Sequence, residues 1–278
     1  MGTSTSSNGP NGGISFDPPW LVSEEEDGNV SIPEPESPEL PFLDIPTALQ
    51  PNDIAPRARY APARKALNQY IASGNRNVLK KALGAYSRKG MGGASRLAGR
   101  MSLSAQNGAN AVAFFNSFTD GKSNENSQWL KDLLNANVSQ TDIFDKIAAK
   151  ISPEVGSIDE NSCRDSITQA LIDLEESDPN FDITNLSADN IQDFLCFFLS
   201  NEIFNRVIID IGQSFERHFS VQETCDRKKE MREYISFEVK KQVANHWKSD
   251  TYITKTAISQ VLQQIIRDTF FIFEDGEK

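Results

Sequence analysis

Three sets of residues in this chain have types and spacing that could do chemistry. The first is the start, Met1-Gly2-Thr3-Ser4-Thr5-Ser6-Ser7, where removal of Met1 exposes the amine of Gly2. No side chain blocks that amine, and an α-amine with a pKa of about 7.7 to 8.0 is partly neutral near pH 7, whereas a lysine at about 10.4 is not. Gly2 therefore suits amino-terminal modification. Gly2 with Ser6 also fits the N-myristoylation pattern. No basic cluster follows to supply a second membrane signal, and the acidic segment that does follow would be repelled by anionic lipid.

The second set is a run of cations. Residues 54–119 contain no Asp or Glu and carry 11 of the 28 Lys and Arg residues. Residues 1–53 hold 10 carboxylates and no cation, and residues 120–278 hold 29 carboxylates against 17 cations. The three segments carry −10, +11 and −12 in a chain of net charge −11. Such polarity implies either an intramolecular contact or a basic surface for an anionic partner. Arg76, Lys80, Lys81, Arg88, Lys89, Arg96 and Arg100 are the candidate anion-binding and nucleic-acid-binding residues. Gly90, Gly92 and Gly93 lie among them, where missing side chains would let backbone approach phosphate oxygens.

The third set is the two histidines, His218 and His246, and the three cysteines, Cys163, Cys196 and Cys225. So few ligands at such spacing give no zinc motif, so no metal site and no cofactor are expected. The cysteines, odd in number and without CxxC spacing, read as buried small hydrophobes in a reducing compartment. His218 falls in the last turn of an expected helix, where an imidazolium favours the helix dipole. Gly121-Lys122-Ser123 resembles the end of a phosphate-binding loop, but Asn116 stands where that loop needs glycine. Gly90-Met91-Gly92 does not complete GxGxxG, because Ser95 takes the last glycine position. There is no GxSxG, and no pair of carboxylates is singled out. The chain is expected not to be an enzyme.

The elements that must position these groups are helices. Eleven of the 13 prolines lie between Pro10 and Pro62, among Ser, Gly, Asn and Glu, which predicts a disordered tail over residues 1–55. Within it Phe16-Asp17-Pro18-Pro19-Trp20-Leu21 is a stiff, apolar stretch suited either to a partner's groove or to the protein's own surface. A basic, glycine-containing helical region is expected over 56–120 and an all-helical domain over 121–278. Apolar spacing predicts helices at Lys65 to Ala72, Asn77 to Arg88, Ala94 to Met101 and Ala109 to Phe118. Ser139 opens another to Ile151, and Ser157 with Glu160 forms a capping box for one reaching Glu176. Asp189 to His218 is expected to be the longest and the most buried, with FLCFFL at its centre. Ser220 with Glu223 starts a helix to Trp247, and Thr254 precedes the last. No alternating strand pattern and no repeat is present. The fold class is all-α, a helical bundle behind a long Pro/Ser/acidic tail. The longest apolar run, Phe194 to Leu199, is too short to span a bilayer, so a cytoplasmic protein with no membrane contact is expected.

Met1-Gly2-Thr3-Ser4, then Gly9-Pro10 and Pro18-Pro19-Trp20, resembles the amino terminus of QatB proteins, the B components of bacterial Qat antiphage defence systems. Tyr86-Ser87-Arg88-Lys89-Gly90-Met91-Gly92-Gly93, followed by Arg96 and Arg100, is similar to that family's basic glycine-containing region. The resemblance spans roughly the first 120 residues. It implies a system that also contains an ATPase, a QueC-like enzyme and a TatD-like nuclease. The QueC-like member is implied to join a 7-deazaguanine base to the exposed Gly2, docking on Thr3, Ser4, Gly9, Pro10, Pro18, Pro19 and Trp20. Two other roles stay open: nucleic-acid binding through residues 54–119, and a scaffold that seats the ATPase and the nuclease.

Overall fold

Proline and glycine set where the first helices start and stop. In the computed structural model, which describes residues 58–119, 125–136, 138–153, 156–216, 220–248 and 254–275, α1 spans Ala61–Ser73 with Pro62 in its first turn. It ends at Gly74, whose φ of 65° places it in the left-handed region, and the Gly74 N–H donates to the Tyr70 carbonyl at 2.8 Å. Asn75 then caps α2, Arg76–Ala85, its side chain accepting from the Asn77 N–H at 2.9 Å.

The expected helix to Arg88 is not uninterrupted. After Ala85 the backbone widens into a π-helical segment, Tyr86–Met91. This wider turn is closed by Gly92 and Gly93, with φ of 83° and 101°, values that a side chain would oppose. Beyond it come α3, Ala94–Arg100, and α4, Ser102–Thr119. The latter begins well before the expected Ala109, with Gly108 inside it. A Cβ there would sit 2.6 Å from Leu262 Cδ1 and 3.1 Å from Phe198, so this glycine lets α4 lie close to its neighbours.

The remaining helices are α5 Glu125–Leu134, α6 Gln140–Ile151, α7 Ile158–Ser177, α8 Ala188–Ile211, α9 Val221–His246 and α10 Lys255–Glu274. Four expected starts are found: the side chains of Ser139, Ser157, Ser220 and Thr254 accept from backbone N–H groups of the first turns of α6, α7, α9 and α10. Both expected capping boxes form, with Glu160 accepting from the Ser157 N–H at 2.8 Å and Glu223 from the Ser220 N–H at 3.0 Å. The longest helix is α9, with 26 residues, and not α8, with 24. At Gly212 α8 gives way to a short 3-10 turn, Gly212–Glu216, and His218 lies outside the described residues. α8 does run through the core: Phe194, Leu195, Phe198 and Leu199 are fully buried, while Phe197 is only half-buried.

All described helices belong to one compact unit, Ile54–Lys278, and no strand occurs among the described residues. α7 and α9 flank α8, and α6 lies on α7. α10 packs against α2, α3, α4 and α9, so the last helix of the chain is the floor under the first ones. Aromatic contacts join the layers, Phe115 edge-on to Phe194 at 4.9 Å and Tyr234 to Phe273 at 5.6 Å. Cations of α9 lie over rings of its neighbours, Arg232 at 4.7 Å over Phe204 and Lys240 at 5.3 Å over Phe197. Among the described residues no helix is long and apolar enough to cross a membrane.

Candidate functional site

The expected modification and docking residues, Gly2, Thr3, Ser4, Gly9, Pro10, Pro18, Pro19 and Trp20, lie outside the described residues. The expected anion-binding residues are all described. Arg76 and Lys81 stand exposed on α2, with Lys80 half-buried beside them. Arg88 and Lys89 project from the π-helical segment, and Arg96 and Arg100 are exposed on α3. Together with α1, which carries Arg64 and Lys65, these consecutive elements make up a cation-bearing layer, α1 to α3.

This layer takes its anionic partners from elsewhere in the chain. Arg88 donates to the main-chain carbonyl of Glu274 at 2.9 Å, at the end of α10. One carboxylate oxygen of Glu274 accepts from the Ser87 hydroxyl at 2.6 Å and from the Ala94 N–H at 2.8 Å, fastening the π-helical segment and the start of α3 to α10. Arg64 of α1 donates to the Asp210 carbonyl at 2.9 Å, and the Tyr86 hydroxyl donates to the Asp210 carboxylate at 2.8 Å. Burial, with Asp210 alongside, pushes the Tyr86 phenol well above its ordinary range, so it serves as a donor.

A concave feature at the start of α1 was not singled out from the sequence. Arg59, Tyr60, Arg64, Lys65, Asn68 and Gln69 line a cleft of about 890 Å³. The Arg59 guanidinium lies 4.7 Å from the centroid of the Tyr60 ring and donates to its hydroxyl at 3.0 Å, and Tyr86 braces the wall, its ring stacking on Tyr60 at 5.9 Å. Gly90 makes room for this pair, since a Cβ there would stand 2.7 Å from the Tyr60 ring. The signal was present in the sequence as the i, i+1 pair Arg64-Lys65 close to Arg59. Charge counting gives no hint that a tyrosine wall shapes these cations into a cleft.

His246, Cys163 and Cys196 sit in structural surroundings. No cluster of His, Cys, Asp and Glu able to hold a metal occurs among the described residues. His246 pairs with Asp268 at 3.0 Å. Cys163 and Cys196 are buried, and burial pushes both thiols up, Cys196 to about 12, so neither is a ready nucleophile. Cys225, expected to be buried, is exposed, because it sits on the outward face of the first turns of α9. Glu202, at 2% exposure in α8, accepts from the hydroxyls of Ser104 and Ser166, each at 2.9 Å. The Ser162 hydroxyl approaches the same oxygen as Ser166, at 3.4 Å. Burial pushes its carboxyl above the ordinary carboxylate range, against the opposing pull of these hydroxyls and Arg206.

A family model described as QatB, Qat anti-phage system associated protein QatB, matches residues 92–273. The matched stretch takes in Gly92, Gly93, Arg96 and Arg100 and then the helical body as far as Phe273. The resemblance read in the sequence rested mostly on residues ahead of it, from Met1 to Trp20 and from Tyr86 to Met91. No curated protein and no solved structure matches the chain. With roughly two thirds of its residues inside the match, the chain belongs to the QatB family of Qat anti-phage system associated proteins.

Proposed function

We propose that this member of the Qat system is its protein acceptor: a QueC-like companion enzyme joins a 7-deazaguanine base to the amine of Gly2. The observation that carries the reading is Met1-Gly2-Thr3-Ser4 at the head of a chain of this family. The companion uses ATP to activate a carboxylate on the base. The neutral Gly2 amine attacks the activated acyl carbon, an amide bond forms, the activating group leaves with its oxygen, and the amine's proton passes to a base. Selectivity over lysines follows from the lower pKa of the α-amine. In this reading Pro18-Pro19-Trp20 docks the enzyme, the chain itself is not the catalyst, and it works in the cytoplasm.

The test is the intact mass of the protein co-expressed with its genetic neighbours. A single adduct that maps to Gly2 and disappears in Gly2→Glu is expected. An unmodified Gly2 under those conditions, or an adduct that survives Gly2→Glu, removes the reading. The same preparation shows whether an ATPase and a TatD-like nuclease co-purify with the chain, as a seating role for the helical unit requires.

A further inference from the structure

We propose that the cleft at the start of α1 holds the phosphate backbone of a nucleic acid. This goes beyond the acceptor reading and does not rest on it. The side chains that line the cleft are two guanidiniums, one ammonium, two carboxamides and one phenol, from Arg59, Arg64, Lys65, Asn68, Gln69 and Tyr60. Among the described residues no carboxylate lines it, and the first turn of α1 contains none. That donor set is short of acceptors and matches phosphate oxygens, which accept only.

The cleft is built before any ligand arrives. Tyr60 is held by Arg59 and by the stacked ring of Tyr86, and its hydroxyl donates to Met91 Sδ at 3.3 Å. Arg64 is fixed at one end by its bond to the Asp210 carbonyl. The Asp210 carboxylate lies behind this wall, where it accepts from the Tyr86 hydroxyl and acts on the Tyr60 phenol as well. Lys65, Asn68 and Gln69 are exposed and therefore reachable.

The extent of the positive charge decides between a strand and a single nucleotide. α2 packs along α1, and further exposed cations stand on it at Arg76 and Lys81 and on α3 at Arg96. The whole run from residue 54 to 119 offers no carboxylate to oppose them. One nucleotide needs only the cleft, whereas a polymer uses the cleft and the cations beyond it. Carboxamides at Asn68 and Gln69 can meet base edges or sugar hydroxyls without demanding one sequence, so weakly specific binding governed by phosphate contacts is expected.

The experiment uses the full purified chain, without its partners, and follows anisotropy of a labelled single-stranded oligonucleotide at salt from about 50 to about 200 mM. Binding that weakens steeply with salt is expected. Lys65→Glu, on an exposed side chain that no described interaction holds, is expected to weaken binding roughly tenfold and to lower the slope of log affinity against log salt by about one. Lys229→Glu on α9 makes the same charge change on another exposed lysine and is expected to leave affinity within about twofold. No binding at the lowest salt overturns the proposal, and so does an equal loss from Lys229→Glu. Polyglutamate competing as well as unlabelled oligonucleotide at equal charge would assign the surface to an acidic protein instead. ATP displacing the strand at equal phosphate concentration would confine the site to a free nucleotide. Either result also overturns it. The mass of Gly2 plays no part in this measurement, so the two readings fail separately.

Discussion

The layer α1 to α3 and the core around α8 treat charge in opposite ways. In the layer, cations stand in solvent and the carboxylates that fasten it, Asp210 and Glu274, come from helices far along the chain. In the core, the single carboxylate of Glu202 is enclosed and answered by serine hydroxyls of α4 and α7. The layer is therefore fastened by carboxylates of α8 and α10 that meet its edge, and the core by hydroxyls of neighbouring helices that enclose one carboxylate. The difference shows how a segment with no acid of its own can still fold: its neutralising groups are supplied by tertiary contact, and its outer face stays positive.

The docking half of this contrast breaks most readily at Gly84. A Cβ there would lie 2.5 Å from the Phe273 carbonyl oxygen, a main-chain atom with little freedom to withdraw. Gly84→Val is expected to cost about 3 kcal/mol in urea unfolding, by prying α2 off α10. Gly99 in α3 has nothing within 4 Å of the same position, so Gly99→Ala should instead stabilise, by up to about 1 kcal/mol. Equal effects at the two glycines would refute the close approach of α2 to α10.

A smaller loss is expected for Glu274→Ala, about 2 kcal/mol, since two donors lose a charged acceptor at a position only 9% exposed. Hydrogen exchange should quicken in Tyr86–Met91 and at the start of α3 before it quickens in α8. Uniform quickening would mean that the layer is not separately fastened.

The smallest effect probes the core. Glu202 has its folded pKa raised, so the fold favours the protonated form. Its contribution is fully present below the ordinary glutamate value and is lost as pH rises through the folded value. Glu202→Gln, always neutral, should gain in relative stability from about pH 5 to about pH 8, read from urea midpoints. A constant difference between variant and parent across that range would show that the hydroxyls fully compensate the charge.

Local signals in the sequence were legible because local bonds realise them. Ser139, Ser157, Ser220 and Thr254 each cap a helix through a side chain three residues from its partner, and Gly74 stops α1 through its own φ. The misses share a tertiary cause. α5 buries only Leu130 and Leu133, too few for a periodic stripe, and is held by Trp129 against Phe114. The extension of α4 back to Ser102 depends on Gly108 meeting Leu262 and Phe198, and the π-helical segment on the Glu274 carboxylate. No window of neighbouring residues contains those partners. The cationic layer was visible as charge, while the cleft within it required Tyr60, Tyr86 and Gly90 to be brought together.

The bond from Glu274 to Ser87 and Ala94 also governs when the protein is finished. The residues it joins are made far apart in translation, so α2 and α3 leave the ribosome long before the strut that completes them exists. Until Lys255–Glu274 has emerged, the positive layer has neither floor nor fastening, and a chain released early would carry the cations without the architecture that organises them.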